Sequence, residues 1–371
     1  MNAAAKGLLG AALLLAAQPN RVAAQDSQFG ISGLGTPGKW ESVRARSAGG
    51  AFAPFDGFSP LLDASLADVR RMSASVTSGT SWRTLENGGP NASLRGTRFP
   101  ALVIAGPLTS RVVLGGGFTT YLDRSFGIVT QDTIDLRGTP QPFTDVVTSD
   151  GAVTDLRLAG AARLHRRLAI GVGLHVLTGS SRVVATRHFA DTANFRASSA
   201  RQEVAYEGRG GSVSALFDVN SDLRIAGWLR ADSKLRADVN GRTAADNSLP
   251  LSYGAGVAWR PGGQAAVAAT VAWRNWAGGA TPGPNAHNTF NWSLGTELGT
   301  PSSPFRFGVR GGQLAFGVGK TPTEVGFSAG LGRQFSAGRG RLDLGVERLE
   351  RKGTGLTERV WTLLLGLTVR P

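Results

Sequence analysis

The last hairpin of the chain, residues 340–371, alternates between two kinds of side chain at every step. In its second strand the odd-numbered positions are large and apolar, whereas the even-numbered positions are small, mixed or polar. The first strand follows the same rule and keeps its charged residues on the other face. The apolar positions are Leu342, Leu344, Val346, Trp361, Leu363, Leu365, Leu367 and Val369. A period of two residues is that of a β-strand, because successive side chains point to opposite faces of a sheet.

The same alternation recurs along most of the chain, so we predict an all-β fold of about fourteen strands. In the fifth of these strands, for example, large aliphatic residues alternate with Gly171, Gly173 and His175. The predicted strands are Val69–Arg83, Ala92–Ala105, Arg111–Tyr121, Val153–Leu164, Leu168–His188, Arg201–Val219, Leu223–Arg236, Leu251–Arg260, Ala265–Trp276, Phe290–Leu298, Phe305–Gly312, Glu324–Phe335, Arg341–Glu350 and Thr357–Arg370.

The connections between these strands alternate in length. The short connections are Pro107–Ser110, His165–Arg167, Asn220–Asp222, Pro261–Gln264, Gly299–Pro304 and Ser336–Gly340, and the long ones include Leu122–Ala152, Ala237–Pro250 and Ala277–Thr289. Outer-membrane barrels have short periplasmic turns, longer extracellular loops, an apolar outer band and a polar interior. The strands of a soluble β-sandwich also alternate apolar and polar residues, but that fold gives no reason for short and long connections to alternate. We therefore predict a transmembrane antiparallel β-barrel of about 14 strands, with both termini periplasmic.

Aromatic residues cluster near the ends of the predicted strands, as expected for the aromatic girdles at a membrane interface. They are Trp259, Trp273, Phe290, Trp292, Phe305, Phe335 and Trp361. A soluble core would place them in the middle of the strands instead.

The N-terminus has the pattern of a cleaved secretory signal peptide, which we place at residues 1–24. Lys6 supplies the positive charge, Gly7–Ala17 forms the apolar stretch, and Val22–Ala24 provides small residues for cleavage. An apolar stretch of about 11 residues is too short to span a bilayer as a helix, which takes roughly 20. The absence of cysteine suits an oxidising compartment. We therefore expect export to the outer membrane of a Gram-negative bacterium and insertion by the barrel insertion machinery.

The formal net charge of the chain is +14. Such a charge raises the question of nucleic acid, but the arginines are scattered along strands and loops, and an exported protein does not meet nucleic acid. We expect anionic outer-membrane lipid or lipopolysaccharide head groups to be the counter-charges, and no nucleic-acid partner.

Residues 25–68 precede the clear strands and are dominated by small residues, with a short helical stretch expected at Pro60–Val69. Such a segment is either a tail outside the barrel or a plug inside it, and its apolar residues favour burial as a plug. The predicted division is thus a signal peptide at 1–24, a plug at 25–68 and a transmembrane barrel at 69–371. The plug residues expected to be functional are Phe52, Phe55, Asp56, Phe58 and Asp63.

Two stretches resemble the FadL/TodX family of outer-membrane transporters for hydrophobic compounds. Arg44–Asp56 is similar to the Gly-Gly-Ala segment that opens the hatch of that family, and Asp63–Leu66 occupies the place of its Asn-Pro-Ala motif. Ala101–Phe118 looks like the second hairpin of the family, with a Pro-Leu turn before a Gly-rich strand. The resemblance implies passive uptake of fatty-acid-like molecules. Similar barrels of the PorV type serve secretion systems instead.

The candidate substrate pathway is the set of residues that the alternation places in the lumen. The pathway residues are Trp228, Arg230, Arg274, Trp276, Glu297, Arg306 and Arg310. One interpretation is a structural set of ion pairs that fills the lumen and anchors the plug. The other interpretation is that an arginine binds the acidic head group of an amphipathic substrate, while Trp228 and Trp276 flank the alkyl chain of that substrate.

The sequence predicts no cofactor and no metal, because no two of the four histidines have the spacing of metal ligands. Hydrolysis would need a serine and a histidine on neighbouring strands at one level, and only His188 with a loop serine suggests it. The expected function is a passive channel for hydrophobic or amphipathic small molecules. The alternatives are a scaffold for a protein partner and a lipid-modifying barrel enzyme.

Overall fold

The structure is a computed structural model that describes residues 27–31, 33–86, 92–136, 138–277, 286–317 and 319–371. At residues 28 and 92–100 it describes the backbone only. The predicted signal peptide and most of the predicted connection at 277–289 lie outside these residues. Within them, no helix is long and apolar enough to cross a membrane.

One sheet contains all eighteen strands of the described chain. The strands are β1 Thr36–Pro37, β2 Ser73–Glu86, β3 Ala92–Pro107, β4 Val112–Asp123, β5 Phe126–Leu136, β6 Thr139–His165, β7 Leu168–Phe189, β8 Ser198–Asp218, β9 Leu223–Asp232, β10 Lys234–Val239, β11 Arg242–Ser248, β12 Ser252–Trp259, β13 Ala265–Arg274, β14 Thr289–Thr300, β15 Ser303–Gln313, β16 Thr323–Phe335, β17 Gly340–Gly353 and β18 Leu356–Val369. The helical elements are α1 Val43–Arg46 and the 3-10 turns Gln28–Gly30, Ala53–Phe55, Asp63–Asp68, Pro261–Gly263 and Ser336–Gly338.

Fourteen of these strands form a closed antiparallel barrel, as the sequence predicts. The ring closes where β18 pairs with β2, from Thr357 opposite Glu86 to Val369 opposite Ala74. Closure satisfies the backbone hydrogen-bonding groups of every wall strand between neighbours. The four remaining strands are β1, which pairs with the end of β4, and β5, β10 and β11, which belong to projecting hairpins.

The two faces of the wall are those that the alternation predicts. On β18, Leu363 and Leu365 are 48% and 46% exposed on the outer face, whereas Thr362 and Leu364 are 5% and 1% exposed on the inner face. The predicted girdle residues are all exposed on the outer face, with Trp259 at 52% and Phe305 at 55%. The outer face is thus apolar and the inner face is buried within the barrel.

The first predicted strand and two predicted loops differ from the structure. The first wall strand begins at Ser73 rather than Val69. The predicted loops at 122–152 and 237–250 instead contain the β5–β6 and β10–β11 hairpins. Strands β5 and β11 of these hairpins are exposed on both faces over much of their length, so no apolar face marks them in the sequence. Asn240 and Gly241, both with positive φ, are a turn signal that could have revealed the second hairpin.

The segment at residues 27–31 and 33–72, which we call the N-terminal segment, packs against the buried face of the wall. Its Phe52, Leu62 and Leu66 are at most 2% exposed. A Cβ atom at Gly308 would lie 2.1 Å from the carbonyl carbon of Ala48, so only glycine permits this approach. The helical stretch predicted at 60–69 is the 3-10 turn at 63–68.

Candidate functional site

Ion pairs join the N-terminal segment to the inner face of the wall at several heights. The pairs are Lys39–Glu324 at 3.1 Å, Arg44–Glu297 at 3.0 Å, Arg46–Glu347 at 2.5 Å, Asp68–Arg163 at 2.6 Å, Asp68–Arg224 at 2.7 Å, and Asp63 with Arg157. Arg46 and Glu347 are 4% and 1% exposed at their side chains. Because solvent screens such buried pairs weakly, they hold the segment in one position.

A short helix aims two of these cations at the wall. Ser42 caps α1 by accepting a hydrogen bond from the backbone N–H of Ala45 at 3.1 Å, and its hydroxyl donates to Asp56. Asp56 is 5% exposed and also accepts a hydrogen bond from the N–H of Phe58 at 3.3 Å. The capped turn fixes the directions of Arg44 and Arg46, because both lie within it.

The wall carboxylates that meet the N-terminal segment also have arginine partners within the wall. Arg306 Nε lies 2.8 Å from Glu297, its cross-strand neighbour, and Arg306 Nη1 lies 2.7 Å from Asp343. Arg310 Nη2 lies 2.6 Å from Glu347. All the predicted lumen charges except Arg274 therefore form pairs of opposite sign among the described residues, and Arg44 and Arg46 of the N-terminal segment add a second cation at Glu297 and Glu347.

Two cavities lie on different sides of the N-terminal segment and share no lining residue. The larger has a volume of about 980 Å³ and extends to the short turns, where Arg167, Asp222 and Gly338 line it. The smaller, which we call the upper cavity, has a volume of about 190 Å³ and is lined by Trp228, Arg230 and residues 37–41. The segment thus separates the two spaces inside the barrel.

The structure distributes the predicted site residues over these spaces. Phe52, Phe55, Asp56 and Phe58 line the larger cavity. Trp228, Arg230, Arg274 and Arg310 line the upper cavity. Asp63, Glu297 and Arg306 are held in ion pairs and line neither cavity.

Trp276 is not beside Trp228. Its ring lies 5.1 Å from that of Phe316, in a separate buried cluster beyond the end of β13. Trp228 belongs to the cluster that contains Phe52, Phe55 and Leu62. The sequence predicts that both tryptophans flank one alkyl chain. In the structure only Trp228 lines a cavity.

Sequence reasoning missed Lys39 and Tyr121, which also line the upper cavity. The register of β4 against β6 shifts between Thr120 and Leu122, so a bulge sits at Tyr121. Its hydroxyl donates to Asp232 at 2.9 Å. A bulge leaves no mark in the hydrophobic pattern, so the position of Tyr121 was not predictable. For Lys39, the only signal was its position within the N-terminal segment.

Lys39 gives the molecule a specific pH response. Burial, aided by Arg310, lowers the pKa of Lys39 from 10.5 to about 8. Between these values the unfolded chain holds a proton that the folded chain has lost, so stability rises with pH over this window. We expect Lys39→Met to lack this rise.

The measurement is the free energy of unfolding in denaturant from pH 7 to pH 10.5. The matched control is Lys352→Met, because the Lys352 side chain is 64% exposed. Curves of wild type and Lys39→Met that stay parallel across the window would contradict the lowered pKa.

The described residues contain no group of three or more histidine, aspartate or glutamate side chains that could hold a metal ion. His188 is exposed on β7, away from the lumen charges.

The architecture defines the class of the protein: a closed fourteen-stranded barrel with an N-terminal segment against its inner wall. No protein-family model matches the chain, and no curated protein matches it. Solved structures of hydrocarbon channels and related proteins do have this fold.

Three of these structures cover most of the chain. The monoaromatic hydrocarbon channel CymD is 16% identical, with a TM-score of 0.58 over 89% of this chain and 97% of its own. A FadL homologue of Pseudomonas aeruginosa is 14% identical, with a TM-score of 0.63 over 91% and 99%. The toluene transporter TodX of Pseudomonas putida is 12% identical, with a TM-score of 0.57 over 91% and 99%. The predicted resemblance to the FadL/TodX family is confirmed at the level of fold.

Proposed function

We propose that this protein is an outer-membrane channel for passive uptake of hydrophobic or amphipathic small molecules. The observation that carries the proposal is the lumen, in which the N-terminal segment separates two cavities lined by aromatic and cationic side chains. Transport, rather than catalysis, is the function that this architecture supports best. The similar structures are named as channels and transporters of hydrocarbons, which agrees with this substrate class.

The proposal extends to the cellular setting of the protein. Residues 1–24 act as a cleaved signal peptide, and the N-terminal segment forms the plug of the barrel, whose first wall strand begins at Ser73. The barrel insertion machinery places the barrel in the outer membrane of a Gram-negative cell. Lipopolysaccharide and other outer-membrane lipids surround the apolar outer face, whose exposed aromatic residues occupy the interfaces.

The membrane assignment predicts a depth-dependent penalty for charge on the outer face. Leu365→Arg is expected to make folding into bilayers less favourable by about 2–4 kcal/mol, because it places a guanidinium near the midplane. Val369→Arg, at the end of the same strand, should cost about 0–1 kcal/mol. Both wild-type side chains are about equally exposed, at 46% and 45%. Equal losses in liposome folding titrations would mean that β18 is not immersed as assigned.

Arg274 is the residue best placed to bind an acidic head group. It lines the upper cavity, and no carboxylate of the described residues lies within ion-pair distance of it. Its neighbours Arg230 and Arg310 are engaged by Asp155 and Glu347. A free guanidinium beside Trp228 can pair with a carboxylate while the indole contacts the alkyl chain.

Uptake measurements test the channel and its head-group site separately. We would express the chain in a Gram-negative host that lacks its own fatty-acid transporter and follow uptake of radiolabelled fatty acid and toluene. Both should enter faster than in the empty host, and Arg274→Met should slow only the fatty acid. Arg182→Met, at an exposed arginine outside the lumen, is the control. Unchanged uptake of both compounds on expression would contradict the channel.

A further inference from the structure

Three side chains of the upper cavity form a connected chain of hydrogen bonds across three neighbouring strands. Ser212 Oγ on β8 lies 2.9 Å from His175 Nε2 on β7. His175 Nδ1 lies 3.0 and 2.9 Å from the two carboxylate oxygens of Asp155 on β6. When the carboxylate accepts the Nδ1 proton, Nε2 of a neutral imidazole is the acceptor available to the Ser212 hydroxyl.

The register of the wall explains why these residues meet. Ser212 lies opposite Gly173, and His175 lies opposite Gly210, so each of these polar residues pairs across the strands with a glycine, which has no side chain. His175 and Ser212 are therefore diagonal neighbours on one face, and the missing side chains of Gly173 and Gly210 leave room for the carboxylates of Asp63 and Asp232 beside them. His175 and Asp155 are 3% and 4% exposed, so little solvent competes for their hydrogen bond.

Arg230 provides a donor beside this serine. It is the direct cross-strand neighbour of Ser212. Its Nη1 donates to Asp155 at 2.6 Å and its Nε to Asp232 at 2.9 Å, whereas its buried Nη2 has no hydrogen-bond partner among the described residues. An unused, preorganised cationic donor next to a nucleophile is what a developing oxyanion requires.

The N-terminal segment holds this serine in a resting state. The single proton of the Ser212 hydroxyl is donated to Asp63 Oδ2 at 2.6 Å, and Arg157 Nε donates to the same carboxylate at 2.8 Å. While the hydroxyl proton points to Asp63, it is not directed at His175. Removing the negative charge of Asp63 would free the Ser212 hydroxyl to donate its proton to His175 Nε2.

We propose that Ser212, His175 and Asp155 are the nucleophile, general base and positioning residue of an esterase site that accepts acyl esters within the upper cavity. Ser212 Oγ attacks the ester carbonyl carbon as His175 Nε2 takes its proton, and the oxyanion faces Arg230 Nη2. The bond to the leaving alcohol breaks, and His175 returns the proton to that oxygen. Water, deprotonated by His175, then attacks the acyl-enzyme, releasing a carboxylic acid and restoring the Ser212 hydroxyl. Trp228 and Tyr121, which line the cavity, provide the apolar surface for the acyl group.

A fluorophosphonate probe tests the nucleophile directly, because it forms a stable adduct only with an activated serine. The folded full-length protein in detergent is treated with the probe, and peptide mass spectrometry locates the adduct. We expect the adduct on Ser212, with faster labelling in Asp63→Asn and at least about 100-fold slower labelling in His175→Gln. Asp155→Asn should lower kcat for p-nitrophenyl butyrate while KM stays constant.

Ser252 supplies a matched control. It is the cross-strand neighbour of Arg230 on the opposite side, it lines the same cavity, and it has no histidine partner among the described residues. Ser252→Ala should therefore leave the adduct on Ser212, whereas Ser212→Ala should remove it. Heat-modifiable gel mobility confirms that each variant is folded. The absence of a Ser212 adduct in both wild type and Asp63→Asn, or equal labelling in His175→Gln, would overturn the proposal without affecting the channel.

Discussion

Deleting residues 28–62 is expected to turn a nearly closed barrel into one that conducts ions in planar bilayers. The deletion removes the side chains that separate the two cavities. The barrel itself should still fold, because its backbone hydrogen bonds close between neighbouring strands. Each wall carboxylate that loses a cation of the deleted segment keeps a wall arginine: Glu297 keeps Arg306, Glu347 keeps Arg310, and Glu324 keeps Arg351.

The matched control is a deletion of residues 192–194, in an exposed connection between β7 and β8. This variant should conduct as little as wild type. If the deletion of 28–62 folds and its conductance stays at the wild-type level, the segment is not the plug. The channel would then lose its gate, and a scaffold for a protein partner would become the better interpretation.

Replacing Arg351 with methionine is expected to lower the free energy of unfolding by about 3–5 kcal/mol. Arg351 lies 2.7 Å from Glu324 and 3.3 Å from Glu358. The Glu358 side chain is fully buried, and its other hydrogen bond is with Ser27 at 2.5 Å. The variant therefore leaves a buried charge without a counter-charge.

The double variant Arg351→Met/Glu358→Gln should recover much of this loss, because neither charge of the pair remains. Arg182→Met should change stability by less than about 1 kcal/mol, since its pair with Glu203 is exposed and 3.8 Å apart. The free energy of unfolding in denaturant is measured for wild type, Arg351→Met, the double variant and Arg182→Met. A double variant no more stable than Arg351→Met would show that the loss comes from packing of the long side chain.

The wall was predictable from sequence because its outer face is apolar at every second residue. Leu363, Leu365 and the girdle tryptophans lie where the alternation puts them. Glu297 and Arg306 were also predictable as neighbours, since a short turn joins their strands and limits the possible registers.

Contacts across long connections were not predictable. Ser212 and His175 lie on strands joined by the connection at 190–197, and alternation gives the facing of each residue but not the register between strands. The sequence therefore placed His175 in the lumen without indicating Ser212 as its partner. Trp276 lies beyond the end of β13, where alternation no longer predicts direction, and its ring packs against Phe316 rather than beside Trp228.

The central claim is that hydrophobic molecules pass through the lumen, and photo-cross-linking of a diazirine-bearing fatty acid tests it most directly. The labelled compound is bound to the folded protein in liposomes, irradiated, and located by peptide mass spectrometry. We expect adducts on inner residues that line the two cavities, including Phe55, Phe58 and Trp228. Competition with unlabelled fatty acid should remove these adducts. Adducts confined to outer-face residues such as Leu363 and Leu365 would show that the molecule meets only the lipid side of the wall, and would contradict the claim.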